Sequence, residues 1–400
     1  MPLTQTPDTV SQTQWLEVIL LWLAGVSAAM QFAKFSVSFD ALLAYYQQSA
    51  TLTGMSLSIV GIAGLIFGVS AGMIASRFGY LRVLIGALLL GGALSMVQSI
   101  LPPFNLLMVT RLLEGFSQLG VVVAAPTLIA KFSAPQHRSL TMGIWGTFFG
   151  VAFAVCGGLG KSILEIHGLS ALLLSHGILI SGIGIILFFI LRNNPLLILL
   201  PVVGDQGSIL AQMIRIYKNP RALLPSLVFL FYTCTLVSIL TYVPGLINDK
   251  ALHKSMLIIL PLLSTSGTFL AGAIAQYVMR PQRVALLAYF GVALAAMSLV
   301  FVSHSPWLLS FVLGGLVLCL GMIPGASLAM IPYLARNPKE QAEGYGLLAQ
   351  FGNLGATIGP PSYAALMTLF GLFGIVGLVL LICFFGVLFS LLAARLKAIT

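Results

Sequence analysis

GMIASRFGYLRV, Gly72 to Val83, sits between two long apolar runs and places Arg77 and Arg82 in a chain of which 7% is charged. Two hundred residues on, GAIAQYVMRPQRV, Gly272 to Val284, repeats the outline: a glycine, small and apolar residues, Arg280 and Arg283, a valine, another apolar run. A second pair keeps the same phase, PQHRSLTMG (Pro135 to Gly143) and PKEQAEGYG (Pro338 to Gly346). The offsets are 200 to 203 residues, so the two halves of the chain read as a duplication.

Composition says what is duplicated. With 59% hydrophobic residues, a mean hydropathy of +1.07 and apolar stretches of roughly 20 residues, the chain lies outside the range of soluble domains. It reads as an all-α polytopic membrane protein. The net charge of +10 comes without a basic run or aromatic-interleaved patch, which argues against nucleic acid as a partner and for basic loops at a membrane face. Cys156, Cys234, Cys319 and Cys383 lie in apolar segments at unrelated spacings, so neither disulfides nor a metal site is expected.

Dividing the chain at polar and Pro/Gly breaks gives twelve expected spans: 16–46, 51–74, 83–101, 104–129, 139–162, 170–191, 222–245, 255–278, 284–303, 306–333, 344–369 and 372–394. They group into a tail (1–15), a six-helix bundle (16–191), a linker (192–221), a second six-helix bundle (222–394) and a tail (395–400). Ser208 to Lys218 is amphipathic and suits a helix on the cytoplasmic membrane surface. With both termini cytoplasmic, fourteen Lys and Arg fall inside and only Lys161, Lys250 and Lys254 outside. Residues 1–14 lack a signal peptide's basic start, so the first span acts as its own insertion signal, in a bacterial inner membrane.

The motifs resemble those of the major facilitator superfamily. The loop Gly72, Ile74, Ala75, Ser76, Arg77, Gly79, Arg82 resembles the family's signature loop, RLLEG (Arg111 to Gly115) its fourth-helix motif, and GTFFGVAFAVCGG (Gly146 to Gly158) a degraded form of the fifth-helix motif of its antiporters. GNLGATIGPP (Gly352 to Pro361) carries the Gly-Pro that the fifth helix lacks. The resemblance implies two pseudo-symmetric six-helix bundles, a central substrate cavity and alternating access. It also implies a cytoplasmic latch built on the loop aspartate, where this chain has Ser76; a serine supplies no charge-assisted bond, so a weaker latch is expected. Gly72, Ser76, Arg77, Gly79, Arg82, Arg280 and Arg283 form the gating set; for Arg77 and Arg82 the alternative is topological anchoring by positive charge, and the two roles can coexist. Gly146, Gly150, Gly157, Gly158, Gly355, Gly359 and Pro360 form the helix-packing set.

Polar residues inside the spans are the candidate site. Ser27, Gln31, Lys34 and Ser38 share one face of the first span, and a mid-span lysine costs roughly 2.5–3.5 kcal/mol unless paired or hydrated. Lys34 therefore faces a cavity, or else snorkels to the outer interface. Arg111, Glu114 and Gln118 share a face of the fourth span. Glu114 reads as the proton-coupling residue, with Asp40 as a second, or as a member of a permanent ion pair. Asp40 lies on another face near the outer end, either solvated or part of an outer gate. The seventh span adds Tyr232, Thr235, Ser238 and Tyr242, a neutral hydrogen-bonding wall. The expected substrate-binding set is Gln31, Lys34, Ser38, Arg111, Gln118, Thr235, Ser238 and Tyr242.

The five histidines are scattered and no HExxH or phosphate-cradling loop occurs, so an enzyme is not expected, nor a cofactor or metal. The chain reads as a secondary-active transporter, functional as a monomer, that expels a small organic molecule, anionic and siderophore- or drug-like, against protons. The alternative is proton-coupled uptake of an organic anion.

Overall fold

A computed structural model describes residues 12–134, 137–194, 209–302, 304–336 and 338–396. The helices are α1 (Trp15–Val37), α2 (Phe39–Tyr46), α3 (Ala50–Ser58), α4 (Gly61–Phe78), α5 (Tyr80–Ser99), α6 (Phe104–Phe132), α7 (Arg138–Gly146), α8 (Phe148–Val155), α9 (Lys161–Leu191), α10 (Ile209–Lys218), α11 (Pro220–Tyr242), α12 (Lys250–Tyr277), α13 (Pro281–Val302), α14 (Pro306–Leu334) and α15 (Pro338–Ala394). A π turn, Cys156–Gly160, joins α8 to α9. Starts follow local chemistry: Ser49, Asn219 and Asp249 cap α3, α11 and α12 through their side chains, and α11, α13 and α14 begin at prolines that have no N–H to leave unpaired.

Among the described residues nine stretches are long and apolar enough to cross a bilayer, or ten with the bent pair α3–α4 counted as one. The expected twelve are thus not twelve separate helices. The physical reason lies in two glycines. Phe148–Leu191 and Glu343–Ala394 run 44 and 52 residues, yet each holds one left-handed glycine, Gly168 at φ 82° and Gly371 at φ 57°, a conformation open to glycine without strain. Unbroken, 52 residues would extend roughly 78 Å, against a hydrocarbon core of about 30 Å. The first expected span is shorter than its range of 16–46, because the chain breaks at Ser38 between α1 and α2.

Packing divides into two sets. In the first, α5 lies against α9 and α6, and α1 against α6 and α9; in the second, α11 lies along α15, and α14 along α12 and α13. The sets meet where α3 and α4 run along α15, α8 along α12, and α1 touches α11. Phe301 and Phe311 are 83% and 81% exposed, which water would penalise and lipid would not.

Of the packing glycines, Gly355 and Gly359 bring α15 onto α11, where a Cβ would lie 2.4 Å from the Leu230 carbonyl oxygen and 2.2 Å from that of Cys234. Gly150, Gly157 and Gly158 do the same for α8 and the π turn against α12. Gly146 does not: a Cβ there would meet nothing within 4 Å, because α7 ends beside open space. Gly79, at φ 88°, turns α4 into α5. Arg82, Arg280 and Arg283 are exposed and Gly72 lies within α4; the side chains of Ser76 and Arg77 lie outside the described ones, as do Ser208 and residues 1–11 and 397–400. The linker helix α10 docks on α15, Arg215 pairing with Glu343 at 2.8 Å and Tyr217 donating to Gln350 Oε1 at 2.6 Å.

Candidate functional site: a buried ion cluster and a seam cavity

Lys34, Arg111 and Glu114 meet inside the first helix set, all at zero exposure. Lys34 Nζ donates to Glu114 Oε1 at 2.7 Å, Gln98 Oε1 at 3.0 Å and Ser95 Oγ at 2.8 Å, and lies 3.2 Å from His176 Nδ1. Four acceptors thus surround three N–H groups. His176 Nε2, 2.9 Å from the Ser27 carbonyl oxygen, is the donor there, because a carbonyl only accepts; Nδ1 is left to receive from Lys34. Glu114 Oε2 is paired with Arg111 and accepts from Gln98 Nε2 at 2.8 Å. One carboxylate is shared by two cations and an amide drawn from α1, α5 and α6.

Arg111 shows what RLLEG does. The break between α3 and α4 leaves the last carbonyls of α3 without helical partners, and Arg111 donates to two of them, Ser56 O at 2.8 Å and Leu57 O at 3.2 Å. Its guanidinium stacks 3.9 Å from the centre of the Phe35 ring. Gly115, one turn on, lets α6 reach the same break, for a Cβ there would stand 2.4 Å from the Val60 carbonyl oxygen. The motif therefore caps a bent span, neutralises the cap and admits its backbone.

The remaining expected residues are placed as follows. Gln31 Nε2 donates to Ser117 at 2.9 Å, and Ser38 Oγ donates back to the Lys34 carbonyl at 2.7 Å. The Oε1 atoms of Gln31 and Gln118 are buried with no partner among the described residues. Thr235 and Ser238 donate to their own helix, at Phe231 O and Cys234 O, and Tyr242 donates to Pro360 O at 3.0 Å. Thr235 also accepts from Tyr363, so this face of α11 is turned to α15. Asp40 is exposed and stands apart from Glu114.

Two adjoining cavities lie on the seam between the helix sets. The inner one, about 30 Å³, is lined by Phe149, Gly150 and Phe153, by Tyr232, Leu236 and Leu240 of α11, and by Ser264, Thr265 and Thr268 of α12. The other, about 40 Å³, shares Phe153, Leu240 and Pro261 and is lined at its far end by Asp40, Lys161 and His253. Ser36 and Thr241 are joined across the seam at 2.6 Å, and Phe39 meets Tyr242 edge-on at 5.0 Å, closing that end. In this conformation the α11 residues facing the inner cavity are Tyr232, Leu236 and Leu240, spaced by four, and none of Lys34, Arg111 and Glu114 lines either cavity.

Sequence reasoning missed Ser95, Gln98 and His176 as members of the cluster. The available signal was polarity inside apolar runs: Ser95 and Gln98 are three apart in one span, and a mid-span histidine needs partners as much as a lysine does. Phe149 and Phe153 carried no such signal among 25 phenylalanines.

Residues 21–360 match the Major Facilitator Superfamily. The chain belongs to that superfamily. It is accordingly a membrane transporter, not a catalytic enzyme. It is 26% identical over 375 residues to the 3-(3-hydroxy-phenyl)propionate transporter of Escherichia coli, covering 89% of this chain and 88% of that one. To the 4-hydroxybenzoate transporter PcaK of Pseudomonas putida it is 24% identical over 397 residues, with 90% and 88% covered. A solved bacterial homolog of the human lysosomal transporter Spinster, described as inward-facing and occupied, superimposes with a TM-score of 0.75 at 13% identity over 98% of both chains. That likeness concerns the fold.

Proposed function

We propose that this protein carries a small aromatic carboxylic acid into the cell with protons, by alternating access at the seam cavity. Two relatives aligned over nearly their whole lengths are named for aromatic hydroxy acids, and the cavity sets Phe149, Phe153 and Tyr232 beside Ser264, Thr265 and Thr268. That pairing of rings and hydroxyls carries the reading: rings stack on rings, and hydroxyls orient polar substituents. Of the two directions open from the sequence we take the inward one. An acid that arrives with a proton ionises in the less acidic interior and accumulates there.

In this reading the chain crosses an inner membrane twelve times as a monomer, with both termini cytoplasmic, the bent pair and the Gly168 and Gly371 breaks dividing the long stretches. The bundles are 16–191 and 222–394, joined by 192–221. Asp40, Lys161 and His253 then mark the outer end. The Lys34–Glu114–Arg111 cluster holds α1, α5, α6 and the α3–α4 bend as one rocking body, and the substrate contacts lie on α8, α11 and α12.

Uptake of radiolabelled 4-hydroxybenzoate into proteoliposomes, acid outside, tests this. Accumulation that collapses with a protonophore and is competed by aromatic but not aliphatic acids is expected. Uptake no greater than in protein-free liposomes would overturn it.

A further inference from the structure

The charges of this protein are distributed in a way that bears on where its proton travels. Glu114, the carboxylate nearest the middle of the spans, accepts on both oxygens from groups on three helices: Lys34 of α1, Gln98 of α5 and Arg111 of α6. From α9, His176 stands beside Lys34, its Nδ1 3.2 Å from the ammonium nitrogen. A carboxylate so placed is shut away from water, with both oxygens engaged by charged or amide donors.

The inner seam cavity presents the opposite picture. Among the described residues lining it are three aromatic rings, aliphatic side chains and four hydroxyls, those of Tyr232, Ser264, Thr265 and Thr268, and no carboxylate, imidazole or cation. Several of the hydroxyls are already committed: Thr265 donates to Pro261 O at 3.0 Å, Thr268 to Gly321 O at 2.9 Å, and Ser264 is hydrogen-bonded with Tyr232. Carboxylate, ammonium and imidazole groups enter in the adjoining cavity, where Asp40, Lys161 and His253 stand at its far end. A carboxylate moving along the seam finds Lys161 there, and no cation among the described residues that line the inner cavity. Transfer of an ionised carboxylate into such surroundings is far more costly than transfer of a neutral acid, whose O–H and carbonyl need one partner each.

We propose that the aromatic acid crosses the inner cavity in its neutral, protonated form, so that the coupled proton is carried on the substrate's own carboxyl group rather than on Glu114 or any other side chain. The carboxylate takes up one proton from water at the outer end, the O–H is retained through the cavity, and the proton is released to water on the inner side. One acid and one proton move together and no net charge crosses. This rests on the aromatic-acid reading given above.

The experiment uses purified full-length protein in proteoliposomes, with protein-free liposomes as the passive-diffusion control and 4-hydroxybenzoate as substrate. A carboxyl group of ordinary pKa, about 4.3, is neutral in roughly one molecule in 500 at pH 7. The apparent KM for total acid should therefore rise about tenfold per pH unit between pH 6 and 8, while the KM in neutral acid stays constant. The uncharged analogue 4-hydroxybenzamide should compete with a Ki that does not change over that range. Solid-supported-membrane recordings should show no charge movement during uptake. A KM flat in pH, an amide that does not compete, or a substrate-dependent current would each overturn the inference while leaving aromatic-acid uptake intact. Absence of carrier-dependent uptake altogether would instead remove the functional reading on which it stands.

Discussion

Replacing Glu114 with glutamine takes away the carboxylate that Lys34 and Arg111 share, and the structure gives a scale for the loss. Both oxygens are engaged, Oε1 with Lys34 at 2.7 Å and Oε2 with Arg111 and with Gln98 at 2.8 Å, and all three charged side chains are at zero exposure. Glutamine leaves two cations adjacent, buried and without the counter-charge; breaking a buried pair in this way costs roughly 3–5 kcal/mol. Lys34→Met is the informative contrast. It leaves Arg111 and Glu114 as a neutral pair with Gln98 still donating, so its cost is confined to displaced hydrogen bonds, on the order of 1–2 kcal/mol. At roughly 2 °C per kcal/mol for a chain of this size, the midpoint of unfolding in detergent should fall by about 6–10 °C for Glu114→Gln and about 2–4 °C for Lys34→Met. Fluorescence-monitored thermal unfolding reads both. Equal losses, or a larger one for Lys34→Met, would refute the view that the carboxylate is the keystone of the cluster.

Gly115→Ala places a Cβ 2.4 Å from the Val60 carbonyl and should cost about 1–3 kcal/mol through overpacking at the α3–α4 bend, seen as lower yield of monodisperse protein. Ser36→Ala removes the hydroxyl joined to Thr241 across the seam at 2.6 Å and leaves Phe39 on Tyr242; loss of about 1 kcal/mol should open that end of the seam about fivefold more often, measured by labelling of a cysteine introduced at Asp40. At the α10–α11 junction, burial alone would raise the Glu340 carboxyl, but hydrogen bonds from Arg336 and Asn219 outweigh it and hold it at about 2, below the ordinary 4.5. Because the folded value is depressed, this stabilisation is complete above about 4.5 and is lost as pH falls through about 2. Hydrogen exchange at the junction should rise over that interval in the wild type, and Glu340→Gln should abolish the dependence.

Much of the fold was legible because the bilayer imposes it. Apolar runs of span length, and the loop Gly72–Val83 with its copy, are large signals spread over many residues. The breaks at Gly168 and Gly371 were placed between expected spans for the same reason, although the helical hydrogen bonding bridges them. The candidate site was legible only in part. Helical spacing put Arg111 and Glu114 together correctly, since both lie on one helix, and gave no means of learning that Lys34 reaches the same carboxylate from α1. Rotation about a helix axis was the missing quantity. Thr235, Ser238 and Tyr242 are turned to α15, while the neighbouring stripe Tyr232, Leu236 and Leu240 meets the cavity. A periodic pattern shows that residues share a face; what that face meets is set by packing between helices far apart in sequence.

In the proposed mechanism the substrate binds against the rings and hydroxyls of the seam, and the buried charges serve the framework. The direct test is the dissociation constant of 4-hydroxybenzoate, measured by calorimetry on detergent-purified wild type, Phe149→Ala and Lys34→Met. Loss of a stacking ring worth about 0.5–1.5 kcal/mol beyond its buried area should weaken binding about tenfold for Phe149→Ala, with Lys34→Met within about threefold of wild type. Binding abolished by Lys34→Met and unchanged by Phe149→Ala would contradict the account.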